Sequence, residues 1–153
     1  MNSRTVAIFL FGVMTLFSVV LLLRNSLFDN HGPSVLIGNQ RVWVEVAKSS
    51  QEARVGLSGR SSLGKDWGML FLFPQEGRYP FWMNGMKFNL DFVFIMGEEV
   101  VDLAENIPFP KEGEQPQIVV AQKGFDRVLE INAGMIQKWK IKLGDKISPS
   151  EGI

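Results

Sequence analysis

The stretch FWMNGMKFNLDFVFI, residues 81–95, decides how this chain is read. It opens on three large side chains and closes on an alternation with the period of a strand. Phe88, Leu90, Phe92 and Phe94 fall on one face, while Asn89 and Asp91 interrupt the other. A solvated face would carry more charge than one aspartate. Both faces are therefore expected to be mostly buried, with Asp91 as the odd residue out.

The flanking sequence extends the same picture. On the amino-terminal side, MLFLF (69–73) follows Gly68 and precedes Pro74, and reads as a buried strand. RVWVEVA (41–47) alternates: Val42, Val44 and Val46 face one way, Trp43 and Glu45 the other. Ser49 with Glu52 three residues on matches a capping box, so a short helix should start there and run out near Gly56 to Gly59. On the carboxyl-terminal side, Gly97 turns into a strand over 99–104, and strands are expected over 118–121 and 127–131. Residues 133–139 suit a helical turn, and Gly144 and Asp145 precede a last strand at Lys146 and Ile147. Residues 107–117, with three prolines and Gly113, read as a long exposed loop. Several short strands with turn signals between them, plus one or two short helices, imply a mainly β fold. The expected form is a compact antiparallel β-barrel or sandwich-like domain over residues 40–148, with a tail over 149–153.

Ahead of that domain, residues 6–23 form an apolar run of 18 residues. As a helix it would span about 27 Å, close to the hydrocarbon thickness of a bilayer. A cleaved signal peptide is the competing reading. Its apolar region is about 7–15 residues long and ends in small residues, whereas this run ends Leu21, Leu22, Leu23, Arg24. The reading adopted is a tail at 1–5, a single membrane anchor at 6–24 and a linker at 25–39. Arg4 before the span and Arg24 after it leave almost no charge bias. The commoner arrangement for such an anchor is adopted, with the domain on the outer side of the cytoplasmic membrane.

Composition excludes several functions. The 153 residues carry a formal net charge of zero and scattered Lys and Arg, which argues against nucleic acid as a partner. No cysteine is present and His31 is the one histidine. Thiolate chemistry, disulfides, a multi-histidine metal site and a Ser–His or Cys–His pair within the domain are all excluded. No glycine-rich phosphate loop or other cofactor motif is present, so no cofactor is expected.

Five spaced motifs carry a resemblance: GLSGR (56–60), WGMLFLF (67–73), FWMNGMKFNLDFVFI (81–95), VLEINAG (128–134) and GDKI (144–147). In this order the chain resembles the DUF192 family over about residues 41–147. The resemblance implies a small β-rich fold in proteins that are often exported or membrane-tethered, and it implies no established activity. The chain departs from the family pattern at Ser58, where Met is usual, and at Asn84, Gly85 and Met86, where Lys-Asn-Thr is usual. A ligand role of those family positions is thereby in doubt here.

Arg60, Asn84, Asp91 and Glu130 are polar residues inside otherwise apolar motifs. A carboxylate in such a setting must be paired or change its pKa. One reading is a ligand pocket: Trp82 as a stacking wall, Asn84 beside it, Arg60 as an anion clamp, and Asp91 and Glu130 as acid and base. The other is a buried ion-pair network, with Arg60 balancing Asp91 or Glu130 and fixing strand register. Trp67, Tyr79, Phe81 and Trp82 suit a stacking surface or core filling. Met69, Met83, Met86 and Met96 suit core packing rather than a soft-metal site.

Two functions follow as expectations. The first is a membrane-anchored, non-catalytic binding module or accessory subunit of a membrane complex. The second is a binder or hydrolase of small molecules such as glycans or envelope components, using Arg60, Trp82, Asp91 and Glu130.

Overall fold

The computed structural model describes residues 32–150 and 153. The expected anchor and most of the expected linker lie outside those residues. Among the described residues no helix is long and apolar enough to cross a membrane.

Residues 33–153 form one unit. Nine strands and two short helices follow one another: β1 (Ser34–Ile37), β2 (Gln40–Ala47), α1 (Ser50–Val55), β3 (Trp67–Gly77), β4 (Phe81–Trp82), β5 (Leu90–Met96), β6 (Glu99–Ile107), β7 (Ile118–Val119), β8 (Phe125–Asn132), α2 (Met135–Trp139) and β9 (Ile147–Pro149). Seven strands make one sheet in the order β6-β5-β8-β3-β2-β1-β9, and β4 pairs with β7 in a second, two-stranded sheet. Pairing in the large sheet is antiparallel except between β2 and β3, which run parallel. The sheet curls into a half-barrel whose edges meet at one end. There Glu99 bridges Lys146, and the Val100 amide donates to the Asp145 carbonyl at 2.9 Å.

Curling gives the sheet two buried faces, as the pattern of residues 81–95 implies. The inner face is aliphatic: Val35, Val44, Leu70, Val93, Ile95 and Leu129 belong to one cluster, closed by Ile136 of α2. The outer face is aromatic: Phe71, Phe92, Phe94 and Phe125 pack in a second cluster with Met83 and Met86. Each of these phenylalanines is fully buried, and each contributes about 1.5–3 kcal/mol relative to exposure. The methionines at 69, 83 and 86 are core residues, in line with their packing role.

The capping box forms: the Ser49 hydroxyl accepts the Glu52 amide, and the Glu52 carboxylate accepts the Ser49 amide at 2.8 Å. The domain begins earlier than residue 40. SVLI at 34–37, assigned to the linker on sequence, is β1, and it bridges β2 and β9. Four residues between Pro33 and Gly38 are too few to show a period, but pairing on both sides fixes them.

Candidate ligand pocket

The candidate residues divide between the two faces of the sheet. β5 and β8 run antiparallel, with Asp91 opposite Ile131 and Phe92 opposite Glu130. Side chains alternate along a strand. Asp91 therefore points inward with Val93 and Ile95, while Glu130 points outward with Val128.

Asp91 is fully buried and its carboxylate is satisfied by backbone. One oxygen accepts the Asn106 amide at 2.7 Å and the other accepts the Ile136 amide at 2.9 Å. The first bond lies at a bulge. Between Leu90↔Ile107 and Phe92↔Ala104 the β6 strand carries an extra residue, and Asn106 takes a left-handed φ of 55°. The second bond ties down the start of α2. Asp91 thus holds a bulge and a helix to one strand.

Arg60 pairs with neither Asp91 nor Glu130, contrary to the ion-pair expectation. Its guanidinium meets Glu45 of β2 in a two-point bridge, Nη1 to Oε1 and Nη2 to Oε2, the latter at 2.8 Å. The hydrogen bond from Arg60 holds the Glu45 carboxyl below its usual range. The alternation of residues 41–47 marks Glu45 only as part of the side opposite Val42, Val44 and Val46. The residue missed was one on the outer face of β2, within reach of the loop that follows α1.

Asn84 is exposed. Its backbone carbonyl accepts the Ser58 hydroxyl at 2.7 Å, and the Gly59 amide donates to the Gly85 carbonyl at 2.8 Å. Gly85 has a φ of 71°, and a Cβ placed there would lie 3.3 Å from the Ser58 Cβ. The two places where the resemblance leads one to expect a departure from the family pattern are therefore in contact. They form one junction between the loop after α1 and the loop after β4.

Glu130 is different. It is 7% exposed, lies between Met69 of β3 and Phe92 of β5, and has no hydrogen-bond or ion-pair partner among the described residues, its carboxyl oxygens being open to the adjoining pocket. Burial alone pushes its carboxyl up to about 8. It lines a cavity of about 220 Å³ on the aromatic face. Phe71, Phe73 and Phe81 wall this cavity, and Trp82, 60% exposed, stands at its edge. Tyr79 stacks on Phe73 with centroids 4.2 Å apart, and Phe81 stands edge-on to Phe71 at 5.3 Å. Leu57, Ser58 and Met86 complete the wall from the two touching loops. Of the five residues singled out on sequence, Trp82 and Glu130 share this pocket; Arg60, Asn84 and Asp91 are not on its lining. The missed lining residues Phe71 and Phe73 carried a legible signal, since positions 69, 71 and 73 alternate onto one face.

A family model described as DUF192, uncharacterized ACR, matches residues 34–149. None of the curated proteins matches the chain. Two solved structures are similar. One, a protein of unknown function from Novosphingobium aromaticivorans DSM 12444, is 31% identical, with a TM-score of 0.65 over 75% of this chain and 83% of that one. The other, from Sinorhizobium meliloti 1021 and provisionally assigned as a transcription regulator, is 24% identical, with a TM-score of 0.67 over 76% of this chain and 91% of that one. The second likeness carries the fold alone.

Proposed function

As this chain belongs to the DUF192 family, whose description assigns no activity, its role has to come from its own geometry, and we propose that it is a non-catalytic binding module whose outer-face pocket receives a small ligand or a side chain protruding from a partner. The observation that carries this reading is the Glu130 carboxyl, which has no hydrogen-bond partner among the described residues and is open to a cavity walled by aromatic rings. A concave site walled largely by apolar and aromatic side chains, with a few polar groups such as Glu130 among them, has the composition of a ligand site. Hydrolysis of the glycosidase type needs two carboxyls flanking one bond. Here the second candidate, Asp91, lies across the sheet and is committed to two backbone amides.

The proposed module is tethered by residues 6–23 on the outer side of the cytoplasmic membrane, as an accessory subunit of a membrane complex. The apolar run of 18 residues supports the tether. Mild-detergent purification of the native protein should co-isolate a stable partner, and recovery as a monomer alone counts against the accessory role.

The pocket is tested by screening small fragments against the full chain by NMR. Binding should perturb Phe81, Trp82 and Met86 together. Hits scattered over the surface, with those resonances unmoved, would remove the pocket as the binding site.

A further inference from the structure

The geometry points to an alkylammonium group as the ligand: we propose that its nitrogen sits at the Glu130 carboxyl and its methylenes lie against Phe71, Phe73, Phe81 and Trp82. This rests on the reading of the pocket as a ligand site, and adds the chemistry it selects.

Three features of the cavity converge. One lining group is the Glu130 carboxyl, which has no partner among the described residues and belongs to a side chain 7% exposed. An anion is repelled there once that group ionises. The walls are aromatic, and their rings are crossed: Phe81 makes angles of 85° with both Phe71 and Phe73. Aromatic side chains on a cavity wall attract a cation wherever a ring face is turned to it, through the ring quadrupole. A neutral hydrogen-bond donor could also meet Glu130 and pack on the rings, but it would lack the charge attraction that an ionised carboxyl and the ring faces offer a cation. The cavity, about 220 Å³, suits a short chain rather than a bulky ring system.

Arg54 and Tyr79 are the other ionisable side chains on the lining. Arg54 is exposed at the rim, where solvent screens its charge. The flanking residues on the neighbouring strands, Met69 and Phe92, are uncharged. A proton released on binding is therefore assigned to Glu130. Burial holds that carboxyl at about 8, so near neutrality it is mostly protonated. An ammonium ion favours the ionised form and must displace the proton, so affinity rises with pH until the carboxyl is ionised.

The same ammonium chemistry has two sources: a free small amine, or a lysine side chain of a partner. The test titrates butylammonium chloride, butan-1-ol, butyrate and Nα-acetyl-lysine amide into the purified full chain. Binding is followed by NMR at Phe81, Trp82 and Met86, with Glu130→Gln as the variant. Butylammonium should bind roughly tenfold or more tightly at about pH 8 than at about pH 6. The Glu130→Gln variant should weaken it by about tenfold or more, because the charged partner is gone. Butyrate should bind more weakly than butylammonium at about pH 8, where part of the Glu130 population is ionised. Acetyl-lysine amide binding as tightly as butylammonium supports a lysine donor; weaker binding supports a free amine. If butan-1-ol binds as well as butylammonium and Glu130→Gln changes neither, the ammonium inference is overturned while the pocket reading stands. If no probe moves the three resonances, both fall.

Discussion

Asp91 and Glu130 sit on neighbouring strands of one sheet and point to opposite sides of it, because Asp91 pairs with Ile131 and Glu130 with Phe92. The two carboxyls interrupt apolar runs in the same way, yet their surroundings make them opposites. Asp91 accepts two backbone amides in the aliphatic interior. Glu130 accepts none and opens on an aromatic cavity. One acid is structural and the other is available to a ligand.

Replacing Asp91 tests the first role. In Asp91→Asn, one of the two amides, Asn106 or Ile136, faces an NH2 group and loses its acceptor. A buried donor left unsatisfied costs about 1–3 kcal/mol, and Asp91→Ala, which strands both, should cost more. Urea unfolding monitored by circular dichroism measures both. A loss within experimental error for either variant contradicts the assignment.

Replacing Glu130 should do the reverse. Its folded pKa, about 8, lies above the ordinary glutamate value of 4.5. Between those values the folded state holds a proton that the unfolded state has lost, so stability falls as pH rises through this window and is flat above it. At about 1.4 kcal/mol per unit, the loss by neutral pH is on the order of 3 kcal/mol. Glu130→Gln has no proton to lose. It should be more stable than the wild type near neutrality, and should flatten the decline of the denaturation midpoint between about pH 5 and about pH 8.

Gly68 marks the close approach of β3 and β8. A Cβ there would lie 2.7 Å from the Glu130 carbonyl oxygen and 2.8 Å from Leu129 Cδ1. Backbone on one side and a core side chain on the other leave little room to shift. Gly68→Ala should cost about 1–3 kcal/mol as overpacking, read from the chemical denaturation midpoint.

Arg60→Ala should be mild. The Arg60 and Glu45 side chains are 35% and 44% exposed. Pairs of that kind contribute about 0–1 kcal/mol. Glu45 has a depressed pKa, so the contribution is present above its unfolded value and is lost as acid protonates the folded carboxyl. A loss of about 3 kcal/mol or more would restore the view of Arg60 as part of a buried network.

Residues 81–95 exposed the two-faced sheet because their alternation is local: Leu90, Phe92 and Phe94 went to one core, Val93 and Ile95 to the other. The Ser49 cap was legible for the same reason, since both partners lie within four residues. What stayed hidden depended on register. Nothing in VLEINAG says which face Glu130 takes until β8 is placed beside β5. The parallel pairing of β2 with β3 hides likewise, as α1 and its following loop make the crossover. Arg60 found Glu45 rather than a buried acid because the loop after α1 returns beside β2, a choice made by chain path and not by residue type.

The central claim is that Glu130 carries a carboxyl with no partner among the described residues, largely enclosed and facing a cavity. It is tested most directly by the pH titration of its side-chain carboxyl carbon by NMR, with Glu130→Gln to assign the signal. The account predicts a midpoint at about 8. A midpoint near the ordinary glutamate value, about 4.3, would show that the group is solvated or already paired, and would contradict it.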